Sequence, residues 1–367
     1  MNRRFSLSLL SALLVLTCAA FAQDQRTPEP RFVTLPPHAN NNANAPAGTL
    51  ATWNGALQGS KYPFIMVGSD PSKTNTTTTV TVYIIPVNIC VTVNSVKTCF
   101  DPKTKQSNGA TAVTNVVNSP IFQNQDYTID GTDIGNTQYE DAFQRSNFWT
   151  DVMTNTAYHV LLKPVVLPEV TVNVPTADGT TGTNYFGVPE VALVDINYVD
   201  AQINLGLPKL KEVNPTNIPV IMTYNTYLTD GSFANCCIGG YHSATGNQTY
   251  AQFTYTIPTS GTAFSQDVSA LSHELGEWMD DPLTNGGNES PCGILEVGDP
   301  IEGEAIPHQY GTYTYTLNGY TYHLQDLATM KYFGQSPVTV NNNNWTFQGQ
   351  TGSLPGLGTI GECSFGS

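Results

Sequence analysis

Basic residues are scarce in this chain: 14 Lys and Arg stand against 29 Asp and Glu, a formal charge of -15. That balance argues against nucleic acid and anionic membrane surfaces as partners, since both attract positive patches. The scarcity is also local. No Lys or Arg occurs between Lys211 and Lys331, although Glu274, Glu277, Asp280, Asp281, Glu289, Glu296, Asp299, Glu302 and Glu304 lie in that stretch. Carboxylates there must face water, borrow a cation from elsewhere in the fold, or share a metal ion. A Cys-x-x-Cys pair is missing, which removes the usual cysteine-rich zinc and redox sites. No serine elbow of the Gly-x-Ser-x-Gly kind is present, so a serine hydrolase has no positive support. No segment after the first residues approaches the roughly 20 apolar residues of a membrane helix. No repeat of fixed period occurs, and one domain is expected rather than two.

What is present begins with "MNRRFSLSLLSALLVLTCAAFAQ": two arginines, an apolar run from Phe5 to Leu16, and Ala20-Phe21-Ala22 before Gln23. This is the pattern of a secretory signal peptide over residues 1–22, and it predicts a secreted protein, extracellular or periplasmic. Thr17 precedes Cys18 and is larger than a lipoprotein site takes, so cleavage after Ala22 is expected instead. Cys90, Cys99, Cys236, Cys237, Cys292 and Cys363 then form an even set bound for an oxidising compartment, where disulfides are the default. "CVTVNSVKTC" predicts a Cys90–Cys99 bridge across a hairpin. Vicinal Cys236 and Cys237 are expected to find different partners.

Residues 23–78 are rich in Pro, Asn and Thr and read as a leader or linker. From residue 79 to 367 the pattern is denser. "VTVYIIPVNICVTV" reads as a strand broken by Pro86 that leads into a hairpin, "YEDAFQRSNFWTDVM" as the first long helix, "VALVDINYVDAQINLG" as a second helix, and "IPVIMTYNTYL" as a buried strand. "CCIGGYHSATG" reads as a Gly-rich loop before an alternating strand. The expected class is α+β, a mixed β-sheet packed on one helix.

That helix is "ALSHELGEWMDDP". Asp267 or Ser265 can cap it and Pro282 stops it. Val268, Leu271, Leu275, Trp278 and Met279 share a stripe by the helical period, and His273, Glu277 and Asp281 form a line opposite, with Glu274 on one flank. Short motifs match by chance, and a solvated acidic face is the bland reading. The functional reading takes His273 and Glu277 as metal ligands on adjacent turns, with Glu274 beside the ion as a base. Glu296 and Asp299, about twenty residues downstream, are candidates for the third ligand. His242 is another, although a loop histidine more often just bonds backbone. The acidic segment also suits calcium as a structural ion, without any EF-hand spacing.

"CCIGGYHS", "TYAQFTY", "ALSHELGEWMDDP" and "LEVGD", in this order, resemble the core of the phosphate-induced (EXORDIUM-like) secreted proteins and related bacterial exported proteins; "SPIF" and "YEDAFQRSNFW" resemble the bacterial group. The resemblance runs from about Thr78 onward, with its specific part between Cys236 and Asp299. It implies a zincin-like fold with His242, His273, Glu274, Glu277, Glu296 and Asp299 in one site, and extracellular or wall roles. The chain departs in Cys236-Cys237, in an extra Gly, and in Gly276 and Trp278 within the helix.

Two function classes follow. One is a metalloprotease-like zinc hydrolase acting on a peptide or protein: His273, Glu277 and Glu296 or Asp299 hold zinc, Glu274 is general base, and His242 is a ligand or stabilises an oxyanion. The other is a non-catalytic binding protein for an extracellular or cell-wall ligand, with a structural ion or a polar network at the same residues.

Overall fold

The computed structural model describes residues 31–39, 48–57, 62–259, 264–284, 295–301, 305–306, 308–309, 312–333, 340 and 345–349. The expected signal peptide, Cys18, Cys292 and Cys363 lie outside the described residues. Within them the class is α+β, as expected, and no described helix is long and apolar enough to cross a membrane.

The centre is an 11-stranded mixed sheet. Its main path runs Gly179–Tyr185, Val188–Asp195, Thr226–Thr229, Cys236–Thr245, Gln248–Tyr255, Ile218–Tyr224, Thr77–Val93 and Val96–Phe100. Ile218–Tyr224 lies between two parallel neighbours and is buried at every position. A strand covered on both faces cannot alternate polar and apolar residues, which is why "IPVIMTY" is a continuous apolar run. Asn225, at φ 44°, ends it before Thr226–Thr229 begins.

Pro86 does not break the strand in which it lies. Thr77–Val93 is one 17-residue strand, and it turns through Asn94 and Ser95, at φ 48° and 66°, into Val96–Phe100. Two left-handed residues in a two-residue loop give the twist that a hairpin needs. Cys90 faces Cys99 across it, and the expected disulfide joins them with a Cα–Cα distance of 4.0 Å.

Four other expectations are corrected. Residues 191–195, read as the start of a helix, belong to the strand Val188–Asp195; the helix is Ile196–Gly206, begun by Asp195, whose carboxylate accepts from the Asn197 and Tyr198 amides. An apolar run that ends at a good cap has the pattern of a single helix, and here it folds as strand, cap and helix. The supposed Gly-rich loop is the strand Cys236–Thr245. Its glycines mark close approach rather than a turn: a Cβ on Gly239 would come within 2.8 Å of the Phe32 and Phe264 rings. Cys236 and Cys237 are joined to each other, across a cis peptide bond. Part of the segment read as leader or linker is folded. Arg31–Thr34 pairs in parallel with Cys236–Thr245, and Thr52–Leu57 forms a hairpin with Tyr62–Val67.

The site helix, Ser269–Asp280, lies on the face of Cys236–Thr245 and Gln248–Tyr255, with the strand Tyr320–Gln325 beside it. The Trp278 indole N–H donates to Thr249 Oγ1 at 3.0 Å, and the Ser272 hydroxyl accepts from the Gln325 amide at 2.8 Å. Val268, Leu271, Leu275, Trp278 and Met279 are all buried, each contributing about 1.5–3 kcal/mol on removal from water. Gly276 costs about 1 kcal/mol of helix propensity relative to Ala. The reason for it is contact: a Cβ there would lie 2.8 Å from Leu327 and 3.3 Å from the Glu140 carboxylate.

Candidate metal centre

The polar side of the site helix is not a solvated face, because all twelve of its residues are buried. Neither expected cap bonds it: Val268 is the N-cap residue, and Asp267 instead accepts from the Val268 amide and the His323 backbone and ring. Its polar line meets two other elements. In Cys236–Thr245, Gly240 and His242 are two apart and so share the face turned to the helix. On the other side, residues 295–301 bring Glu296 and Asp299.

All six candidate residues converge. His273 Nε2 lies 3.0 Å from Glu277 Oε1 and 3.6 Å from Asp299 Oδ1. His242 Nδ1 lies 3.3 Å from Glu274 Oε2 and 3.6 Å from Glu277 Oε2, while its Nε2 is 3.9 Å from Glu296 Oε1. Two three-residue groups thus offer ligand atoms within 4.8 Å of one another: His273, Glu277 and Asp299, and His242, Glu274 and Glu277. Glu296 belongs to neither, and Asp281 contributes its backbone carbonyl, 3.2 Å from His242 Nε2. Glu277 Oε1 also accepts from the Gly298 and Asp299 amides, each at 3.1 Å, which fixes the carboxylate's orientation.

Electrostatics favour a cation here. Burial, with Glu277, Glu296 and Asp299 nearby, holds the Glu274 carboxyl well above its usual range against the opposing pull of His273. Burial and the neighbouring Glu277 and Asp299 do the same to Glu296. Burial and His273 push His242 down to about 3. A carbonyl can only accept, so the N–H of neutral His242 is on Nε2, donated to Asp281, and Nδ1 carries a lone pair. That lone pair faces two carboxylates, an arrangement of acceptors that needs a proton or a cation between them. It also leaves His242 no N–H for an oxyanion, which favours the ligand alternative. Glu274 Oε1 and Glu296 Oε2 are buried and have no hydrogen-bond partner among the described residues. Imidazole nitrogen with carboxylate oxygen is a donor set that zinc takes. Calcium, which prefers six to eight oxygens, suits the two groups less.

The surroundings hold residues that sequence reasoning missed. Phe32, in the segment read as leader, stacks on the His273 ring with centroids 3.9 Å apart. A Cβ on Gly240 would come within 2.7 Å of Glu274 Oε1. One on Gly298 would overlap His273 Nδ1 and reach within 2.6 Å of Cε1. With Phe32 packed on the ring, Gly298→Ala forces the imidazole out of place. The expected result is a loss of zinc affinity of about 10–100-fold, as for other changes in the support of a metal ligand. Competition against a chromophoric chelator measures it, and unchanged affinity would remove His273 from the ligand set. Behind the helix, Glu140 and Asp280 are a further buried pair. Both carboxyls are held well above their usual range by burial, and each raises or is raised by a nearby acid.

The chain matches no protein-family model, no curated protein and no solved structure.

Proposed function

We propose that the protein is a secreted, zincin-like zinc peptidase in which His273, Glu277 and Asp299 hold the ion and Glu274 is the general base. The observation that carries this reading is the convergence of those three ligand atoms within 4.8 Å, with Glu274 one residue along the same helix. Glu296 is the weaker candidate for the third ligand, because Asp299 is the nearer to His273. A bound zinc ion supplies a Lewis acid and acidifies a water near neutral pH. Glu274 takes the proton at the carboxylate oxygen that lies against Gly240. The proton it takes up is the one it would then deliver to the leaving amine. The acidic chain and the signal-peptide pattern favour an extracellular peptide or protein substrate, in line with the EXORDIUM-like resemblance. Asp299, whose side chain is 27% exposed, is the most open of the ligands and marks the side from which substrate approaches.

A second reading has an observation of its own. His242, His273 and Glu274 are fully buried, which suits a structural ion in a non-catalytic binding protein. The test is hydrolysis of a mixed peptide library by the purified chain. Cleavage that a chelator removes and zinc restores is the expected result. A protein that keeps zinc and cleaves nothing in the library supports the structural ion instead.

A further inference from the structure

Glu277 belongs to both ligand groups, through different oxygens. Oε1 faces His273 and Asp299, and Oε2 faces His242. From this we infer a centre for two divalent ions bridged by the Glu277 carboxylate, the second held by His242 Nδ1, Glu274 Oε2 and Glu277 Oε2. This deepens the proposed function and rests on its metal reading.

Three observations carry it. The first is the direction of His242: with its N–H given to the Asp281 carbonyl, Nδ1 lies 3.3 Å from Glu274 Oε2 and 3.6 Å from Glu277 Oε2, so one cation can be shared among all three where a proton can join only two. The second is the pinning of Glu277. The Gly298 and Asp299 amides both donate to Oε1, on the His273 side, while Oε2 lies 3.6 Å from His242 Nδ1, so the two oxygens face different imidazoles. The third is charge. Glu274, Glu277, Glu296 and Asp299 gather around two imidazoles, in a stretch without Lys or Arg between residues 211 and 331. Once metal binding has displaced the carboxyl protons, one divalent ion balances two of the four carboxylates and two ions balance all four. Carboxylate-bridged ions sit about 3.5–4 Å apart in two-metal hydrolases, which a single bridging carboxylate spans. Glu274 gives Oε2 to the second ion and keeps Oε1, which has no partner among the described residues, for the proton.

The experiment is ion stoichiometry by elemental mass spectrometry after saturation with zinc and removal of excess, on the purified chain and on His242→Ala and His273→Ala. Two zinc ions per chain are expected, falling to one in each variant. Manganese(II) loaded into the unaltered chain should give an exchange-coupled paramagnetic resonance spectrum, and Glu277→Gln should abolish the coupling. This second readout needs no histidine variant to fold. One ion per chain at saturation, with an uncoupled manganese spectrum, overturns the second site and leaves the single-ion reading standing. No bound ion overturns both. Two ions retained in all variants would put them elsewhere and overturn the bridge.

Discussion

On the proposed zinc-peptidase reading, Glu274→Gln is expected to lower peptide cleavage by about 10²–10⁴-fold, the range that a positioned general base contributes. The substitution removes the proton acceptor and one ligand of the inferred second ion, and leaves the ligands of the first ion untouched. Gln has the same shape, so it fits the space that Gly240 leaves against Oε1. Burial already shifts the carboxyl it replaces toward its neutral form, so a neutral amide is accommodated there without a new charge to desolvate. The ion held by His273, Glu277 and Asp299 is kept, and elemental analysis of the variant checks that it is. Cleavage that survives at full rate with the ion bound would remove Glu274 from the chemistry. A binding activity that survives undiminished would belong to the structural-ion reading.

Removing the ion should make the protein less stable as pH rises. Glu140, Glu274, Asp280 and Glu296 are all shifted upward by burial, and burial raises Asp326 to about 7. A carboxyl with a raised folded pKa binds its proton more tightly in the native state. Its stabilising contribution is complete below the unfolded value of about 4 and is lost as pH climbs toward the folded one. Each such group gives a slope of about 1.4 kcal/mol per pH unit while it is protonated only in the native chain. His242 acts in the opposite sense: lowered to about 3, it costs stability as pH falls below its unfolded value of about 6.5. Five acids outweigh one imidazole. The melting temperature in chelator should therefore fall between pH 5 and pH 8. Saturating zinc should flatten or invert that slope, because the ion takes the place of the site's protons and binds more tightly as they leave. Identical profiles with and without zinc would mean that the buried acids of the site do not meet the ion.

The site helix was legible because helical spacing separates two sets of residues, one apolar stripe and one polar line, and each meets a different surface. What spacing could not tell was that both sides are buried, since the cover over the polar side comes from strands distant in sequence. Gly240 and His242 were read as loop because glycine signals a turn as readily as close approach, and only the position of Glu274 decides between the two. Phe32 was beyond reach for the same reason: a four-residue strand amid Pro and Asn carries too short a pattern to register. The Cys90–Cys99 bridge was legible because its geometry is local. The Cys236–Cys237 pairing was not, since no spacing rule distinguishes a vicinal bridge from two longer ones.

The strand Arg31–Thr34 bears on how fast an ion could leave. It carries Phe32 over His273, and Arg31 donates to Asn235, 204 residues downstream. Closing a loop of that length costs chain entropy, which the strand pairing and the packing of Phe32 must offset. While the strand stays paired, Phe32 holds one face of the His273 ring, and an ion bound there would come and go on the side where Asp299 is 27% exposed. Local unfolding of those four residues would release the ring and loosen the site without unfolding the sheet.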